Sequence, residues 1–391
     1  MKNKGLMLPL LVSSISLFGC NNGGGIIIPT PTIPDGYVPE KEDGMCFDED
    51  EFSQLYNYAP CVFVDGNEAH VYYCTSMISG KGGADDRIGY RHGIKKNGKW
   101  YWGPKSLALD KGAEGEWDSM DVCDPDVIKG EFTYNGEQYN YLMTYLGCIT
   151  PGNYENAYGF AVSKEPSGPW IRVNGLCPLY DFYELNPDYV YPGHDDPNYS
   201  LWGWGQSSMI SFDKKGKVLV FDTGRSTTGQ TCELWDFSNL NAPEMLWRNE
   251  VSNRGMKDLY GNKDTICNAQ LVYDPTLKCF YMVSDAHPFD SSVVPENLPT
   301  ETNISMINDF NSEEIGDCFK NSKAVWAHLG SLNPDNTGFP KNSNACFERD
   351  PYGWMLQDNT DGIDILYSPI PYGVSNKWIF SFRIHRIHYK F

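Results

Sequence analysis

"DSMDVCDPDVIKGEFTYNGEQYNYLMTYLG", Asp118 to Gly147, is the stretch whose reading decides the fold. It opens with four aspartates, Asp118, Asp121, Asp124 and Asp126, and no basic residue precedes Lys129. It then runs into an apolar strand, turns, and returns through an aromatic-rich strand. Taken alone, the acidic opening suits a solvated loop, a calcium loop or the wall of a site. The hairpin behind it recurs, and the recurrence narrows the choice.

Four other stretches follow the same plan. They are "APCVFVDGNEAHVYYCTS" (Ala59 to Ser76), "QSSMISFDKKGKVLVFDTG" (Gln206 to Gly224), "NAQLVYDPTLKCFYMVSDA" (Asn268 to Ala286) and "NACFERDPYGWMLQD" (Asn344 to Asp358). Each opens on a small or polar residue, enters an apolar strand, turns at Gly, Asp or Asn, and returns. Their starts lie roughly 60 to 80 residues apart, the spacing of multi-stranded repeats. Helical periodicity is nearly absent. The pattern predicts an all-β, five-bladed β-propeller, with six blades or two β-sandwiches as alternatives. Blades have four strands, so "RIGYRHGI" (Arg87 to Ile94), "YGFAVSKEP" (Tyr158 to Pro166) and "DILYSPI" (Asp364 to Ile370) are expected to be outer strands. The C-terminal "FRIHRIHYKF" is expected to zip up the last blade.

In a propeller the innermost strands line the axis and begin at one mouth. The openings of the repeats should therefore converge: Tyr58-Ala59, Asp124 with Asp126, Gln206-Ser207, Asn268 with Gln270, and Asn344. Strand alternation puts Asp124 and Asp126 on one side and Pro125 on the other. A funnel lined by Asp124, Gln206, Asn268 and Asn344 is the expected site.

The repeats resemble those of the five-bladed propeller glycosidases, chiefly glycoside hydrolase family 43 and its relatives. "DPDVIK" followed by "YNYLMTY" carries the resemblance, with "GFAVSKEPSGPW" (Gly159 to Trp170) and "FPKNSNACFERDPYGWML" in support. It covers most of Met45 to Phe391. It implies an inverting hydrolase with an aspartate base in blade one, an acid-tuning aspartate in blade two and a glutamate acid in blade three. Asp126 matches the second of these, with Asp124 beside it. The first role falls on "NYAP", which has no carboxylate, and the third on Gln206, which cannot donate an acid's proton. The roles have moved, or the propeller binds sugar without cutting it.

Inversion needs two carboxyls far enough apart to admit a water, about 6.5–9.5 Å. Asp124 and Asp126 are catalytic candidates, with sugar binding and turn capping as the other readings. His194 and Asp195 in "GHDDPNYSLWGWGQSS" could complete a pair, as could His287 or His328. Trp202, Trp204 and Trp117 are candidate stacking faces, and Gln206, Asn268 and Asn344 candidate hydrogen-bonding groups. The aspartate-rich stretch lacks the glycine and final glutamate of an EF-hand loop. No cofactor is expected, although the resemblance allows calcium in the channel. Packing is the competing role for each tryptophan.

The N-terminus sets the expected address. Lys2 and Lys4 precede the apolar run Leu6 to Phe18, which is short for a membrane span and reads as a signal peptide over 1–19. "LFGC" resembles a lipobox, implying lipidation of Cys20, and Asn21 favours the outer membrane, facing periplasm or cell surface. Residues 20–44 read as a Gly/Pro-rich tether and 45–391 as the propeller. A net charge of −20 argues against nucleic acid and against any membrane contact beyond the lipid. A monomer acting on a carbohydrate is expected. Of the 12 cysteines, those other than Cys20 are expected to be mostly oxidised in an exported domain, and no CxxC pair points to zinc. The functional reading is a glycoside hydrolase of the bacterial envelope. The alternatives are a glycan-binding lipoprotein on the same scaffold and an adhesive one with a packed channel.

Overall fold

The computed structural model describes residues 31–390 apart from 48–54, 77–85, 151–154, 186–201, 225, 290–291, 293–297, 310–311, 358–360 and 375–377. Cys20, His194 and Asp195 lie outside the described residues. Five antiparallel sheets stand in a ring. Their inner strands are Asn57–Asp65, Asp121–Tyr134, Gly205–Ser211, Gln270–Asp274 and Lys341–Phe347. Each packs on the inner strand of the next blade, and the last packs on the first. The chain is a five-bladed β-propeller.

Both faces of every blade are buried, so the inner strands are apolar on both sides and do not alternate with polar residues. Neighbouring residues point to different cores. Val127 joins the core between blades one and two, and Ile128 the core between two and three. Met209 and Ile210 divide in the same way between blades two and four, as do Leu271 and Val272 between blades three and five. Five inter-blade cores result, each built from two adjacent sheets.

The C-terminal segment zips up the last blade as expected, and the N-terminus completes it. The C-terminal Ile384–Tyr389 is the third strand of blade five, and its outer partner is the N-terminal Met45–Phe47. Arg386 fastens the seam by donating to Glu40 from Nε (3.0 Å) and Nη2 (2.7 Å). Val38–Pro39 pairs with Lys99–Trp102 of blade one, so part of the segment expected to be tether lies on the propeller. Residues 86–96 and 157–163 are third strands, but Ile363–Ile370 is the second strand of blade five, not an outer one. "YGWML" is not the return strand, because Asp350 Oδ1 caps the turn by accepting from the amides of Tyr352 and Trp354, both at 2.8 Å. Trp354 then packs on Tyr273 of blade four.

One disulfide, Cys74–Cys123, joins blades one and two, and the nine other described cysteines are free thiols. The expectation of a mostly oxidised set is therefore corrected. Several thiols, such as Cys61, Cys232 and Cys346, are packed in inter-blade cores like small apolar side chains.

Candidate active site

The repeats share a local pattern at the start of the inner strand. Ala59, Asp124, Asn268 and Asn344 all have positive φ, between 44° and 47°. The pairing register shifts at the same place in four blades, between Tyr58 and Cys61, Cys123 and Asp126, Gly205 and Ser208, and Ser343 and Cys346. Bulges of this kind re-aim the side chains around them. Asp and Asn tolerate left-handed backbone better than most residues, which suits Asp124, Asn268 and Asn344 to the position. Asp124 and Asp126 consequently do not share a face. Asp124 is partly exposed, whereas Asp126 is 1% exposed.

Two residues beyond each kink, a side chain reaches across to the next blade. Cys61 Sγ accepts from Val127 N (3.3 Å), Asp126 Oδ2 from Met209 N (2.5 Å), Ser208 Oγ from Leu271 N (3.1 Å), and Gln270 Oε1 from Phe347 N (2.7 Å). Cys346 closes the circle by accepting from Val62 N. Asp126 is thus one member of a five-fold belt about the axis. Its other oxygen, Oδ1, accepts from Gln270 Nε2 (3.1 Å) and from Arg349 Nη2 (2.6 Å). Arg349 is fully buried and also donates from Nη1 to the carbonyls of Met209 (2.9 Å) and Leu271 (3.2 Å). A cation supplied by the chain itself fills the axis at this level. The expected catalytic place of Asp126 is corrected on this ground: both its oxygens are committed to protein donors and its charge is held by a buried arginine.

The remaining aspartates of the opening stretch also diverge. Asp118 pairs with Arg172 (2.7 Å) and accepts from Tyr145 OH (3.0 Å), and Asp121 Oδ1 accepts from Asp86 N (2.7 Å). Two of the four carboxylates are paired with arginines.

Asp124 remains at the mouth. Its Oδ1 lies 3.2 Å from Cys123 Sγ and 3.6 Å from Cys74 Sγ, but these are disulfide sulfurs with no proton to donate. Its amide donates to Cys74 Sγ at 2.9 Å, which fixes the backbone. Burial, and then the Asp86 charge, push the Asp124 pKa up to about 7. Nothing among the described residues offsets this by donating to the carboxylate. Asp86 is held by the hydroxyls of Tyr56 and Tyr58, the latter at 2.5 Å.

A second carboxyl stands on the other side of the mouth. Asp285 ends the second strand of blade four, where it is buried and also raised to about 7, chiefly by burial. Asn268 Nδ2 donates to its Oδ2 at 2.9 Å, and the Asn344 amide donates to the carboxylate as well; both favour its charged form. Its Oδ1 has no hydrogen-bond partner among the described residues. The Asp124 charge raises its pKa further, so the two carboxyls share one electrostatic neighbourhood. Gln206 Oε1, at the equivalent opening in blade three, is likewise buried without a partner among the described residues. His287, two residues beyond Asp285, binds Asp264 through Nδ1 at 2.8 Å.

The structure thus brings Asn268 and Asn344 together on Asp285 and places Asp124 and Gln206 at the equivalent openings. Trp204 is corrected: it is fully buried, stacked on Tyr180 and donating from Nε1 to the Asp181 carbonyl (2.9 Å), so no sugar can reach it. Trp202 is 51% exposed. Trp117 is half-buried against Tyr145. Asp285 was not among the expected residues, although the hairpin register contains it. Gln270 pairs with Val283 and the Asp285 amide donates to the Cys267 carbonyl (2.9 Å), which brings the end of this strand beside Asn268.

The raised Asp124 pKa has a consequence for stability. The folded state keeps this proton up to about pH 7, while the unfolded chain releases it near the ordinary value of about 3.9. Between these values the folded state binds more protons, so this group lowers stability as pH rises and its effect levels off above about 7. Asp124→Asn is expected to gain in thermal midpoint relative to wild type from pH 5 to pH 8. A constant difference across that range would show that Asp124 ionises normally.

No family model matches the chain, and no curated protein matches it in sequence. Its likeness is to solved structures. Zg3597, a family 117 glycoside hydrolase from the marine bacterium Zobellia galactanivorans, is 10% identical, with 90% of this chain and 89% of that chain covered at a TM-score of 0.50. A GH62 hydrolase in complex with xylotriose is 11% identical, with coverage of 90% and 97% and a TM-score of 0.50. CoXyl43, a GH43 β-xylosidase/α-arabinofuranosidase from a compost microbial metagenome in complex with xylotriose, is 13% identical, with coverage of 90% and 95% and a TM-score of 0.50. The chain therefore has the five-bladed propeller fold found in these glycoside hydrolases.

Proposed function

We propose that the chain hydrolyses a glycosidic bond, with Asp124 and Asp285 as its acid–base pair. The observation that carries this reading is the pair itself: two carboxyls at one propeller mouth, both held near pKa 7 by burial and by neighbouring charge. Environments that spread protons unequally over two carboxyls are how one site supplies both an acid and a base near neutral pH. Asp124 has no donor among the described residues to stabilise its charge, which suits it to hold the proton and deliver it to the leaving oxygen. Asp285 receives hydrogen bonds from Asn268 and Asn344, which suits it to stay ionised and activate a water. With a water between them the reaction proceeds with inversion. Gln206 and the half-exposed Trp202 are candidates to hold a sugar.

The test is a screen of aryl glycosides and plant or algal oligosaccharides, read by release of reducing ends. Hydrolysis of one class supports the proposal, and binding without hydrolysis across the panel contradicts it. One observation favours a second reading, a glycan-binding protein without turnover. Ala59 and Gln206 occupy the blade-one and blade-three openings, where the sequence resemblance implies carboxylates.

We also propose attachment to the outer membrane through lipidated Cys20, on the strength of the "LFGC" ending. Cys20→Ser is expected to move the protein from the membrane to the soluble fraction. Unchanged membrane association would reject the anchor.

A further inference from the structure

A second cluster of chemistry-bearing side chains lies at the opposite end of blade one. The inner strand Asn57–Asp65 runs from the mouth to the far end, turns at Gly66, and returns as Glu68–Ser76. Strand alternation puts Glu68 and His70 on one face. The register with the third strand sets His92 directly across from His70. A carboxylate and two imidazoles are thereby held on neighbouring rungs of one sheet, with one ligand atom from each within 4.8 Å of the others.

Both histidines have Nδ1 engaged by a tyrosine hydroxyl, which leaves Nε2 as the ring nitrogen for a ligand. His70 Nδ1 is bonded to Tyr90 OH at 2.8 Å, and His92 Nδ1 to Tyr37 OH at 2.7 Å. Metal-binding histidines almost always have the second ring nitrogen anchored like this, which fixes tautomer and ring orientation. His92 Nε2 has no hydrogen-bond partner among the described residues, and Glu68 Oε2 stands 3.4 Å from it. Bonds of about 2.0–2.2 Å to a tetrahedral zinc ion place its ligand atoms about 3.3 Å apart. The Glu68–His92 separation already meets this. Glu68 is an exposed side chain that can close the remaining distance to His70.

We propose that Glu68, His70 and His92 bind a divalent first-row transition metal, zinc in the first instance, with solvent at the fourth position. Two imidazoles and one carboxylate suit zinc better than calcium or magnesium, which take oxygen ligands. The site lies on the far end of the propeller from Asp124 and Asp285, so its role is separate from the proposed hydrolysis. Tyr37 belongs to the N-terminal segment that pairs with blade one. An ion on His92 therefore clamps that segment to the ring.

The experiment is a titration of the chelator-treated full chain with cobalt chloride alone, followed by visible d–d absorption, and with zinc chloride alone, followed by thermal midpoint. Wild type is expected to bind one equivalent with a tetrahedral cobalt spectrum and to gain in thermal midpoint with zinc. Glu68→Ala and His92→Asn, both at partly exposed positions, are expected to bind roughly 10-fold or more weakly. Tyr37→Phe, which leaves all three ligands in place, is expected to weaken binding by a smaller factor. Failure of wild type to bind stoichiometrically, or equal binding by either ligand variant, overturns the site and leaves an ordinary ion pair between Glu68 and His92.

Discussion

Asp285→Asn is expected to lower glycan turnover by roughly 10²-fold or more while the propeller stays folded. Asn keeps the shape of the side chain and an oxygen that can still accept from Asn268 Nδ2 and the Asn344 amide. The substitution removes the one property the proposal needs, a carboxylate that can take a proton from water. Asp124→Asn is expected to cost as much on natural oligosaccharides, where the leaving oxygen must be protonated. It should cost far less on aryl glycosides with acidic leaving groups, which depart without that proton. Equal losses on both substrate types would remove Asp124 from the role of acid. Thermal unfolding of each variant separates these effects from loss of structure.

Arg349→Ala is expected to destabilise the fold by about 3–5 kcal/mol, the cost of leaving one member of a buried ion pair without its partner. Arg349 and Asp126 are 0% and 1% exposed, with Nη2 and Oδ1 2.6 Å apart. Removing the guanidinium leaves the Asp126 charge in the axis and strips donors from the carbonyls of Met209 and Leu271. It touches three blades at once. Denaturant unfolding measures the loss; a change under about 1 kcal/mol would mean that water replaces the guanidinium and that the plug is incidental. Arg349→Met with Asp126→Leu is the informative companion. Apolar replacements of buried pairs are often neutral, so this variant separates the loss of a partner from the loss of the belt hydrogen bond to Met209.

Much of the architecture was legible because the repeats carry their own register. Ala59, Asp124, Gln206, Asn268 and Asn344 were aligned by pattern, and the structure places them at equivalent points of five inner strands. What pattern could not show was which of two nearby aspartates faces the mouth. Alternation would align Asp124 with Asp126, but a left-handed kink at Asp124 separates them, and such a bulge leaves no two-residue periodicity to read. The fate of Asp126 was hidden because its partner, Arg349, arrives from blade five. Trp204 looked available in its Gly-rich setting, yet Tyr158 and Tyr180 enclose it. Ring closure by Met45–Phe47 was hidden for a related reason, since a three-residue strand has too few residues to show a period. Asp285 was within reach, because the strand that returns from the turn after Asp274 ends beside the start of the fourth repeat. Cross-strand register likewise sets His70, on the strand that carries Glu68, opposite His92 on the next.

The pH dependence of kcat/KM for wild-type hydrolysis of an oligosaccharide tests the central claim most directly. Two coupled carboxyls, both raised to about 7, predict a bell whose limbs flank neutral pH. The acid limb reports loss of the base and the alkaline limb loss of the acid. A rate that stays flat from pH 5 to pH 9, or binding with no hydrolysis at any pH, would contradict the account.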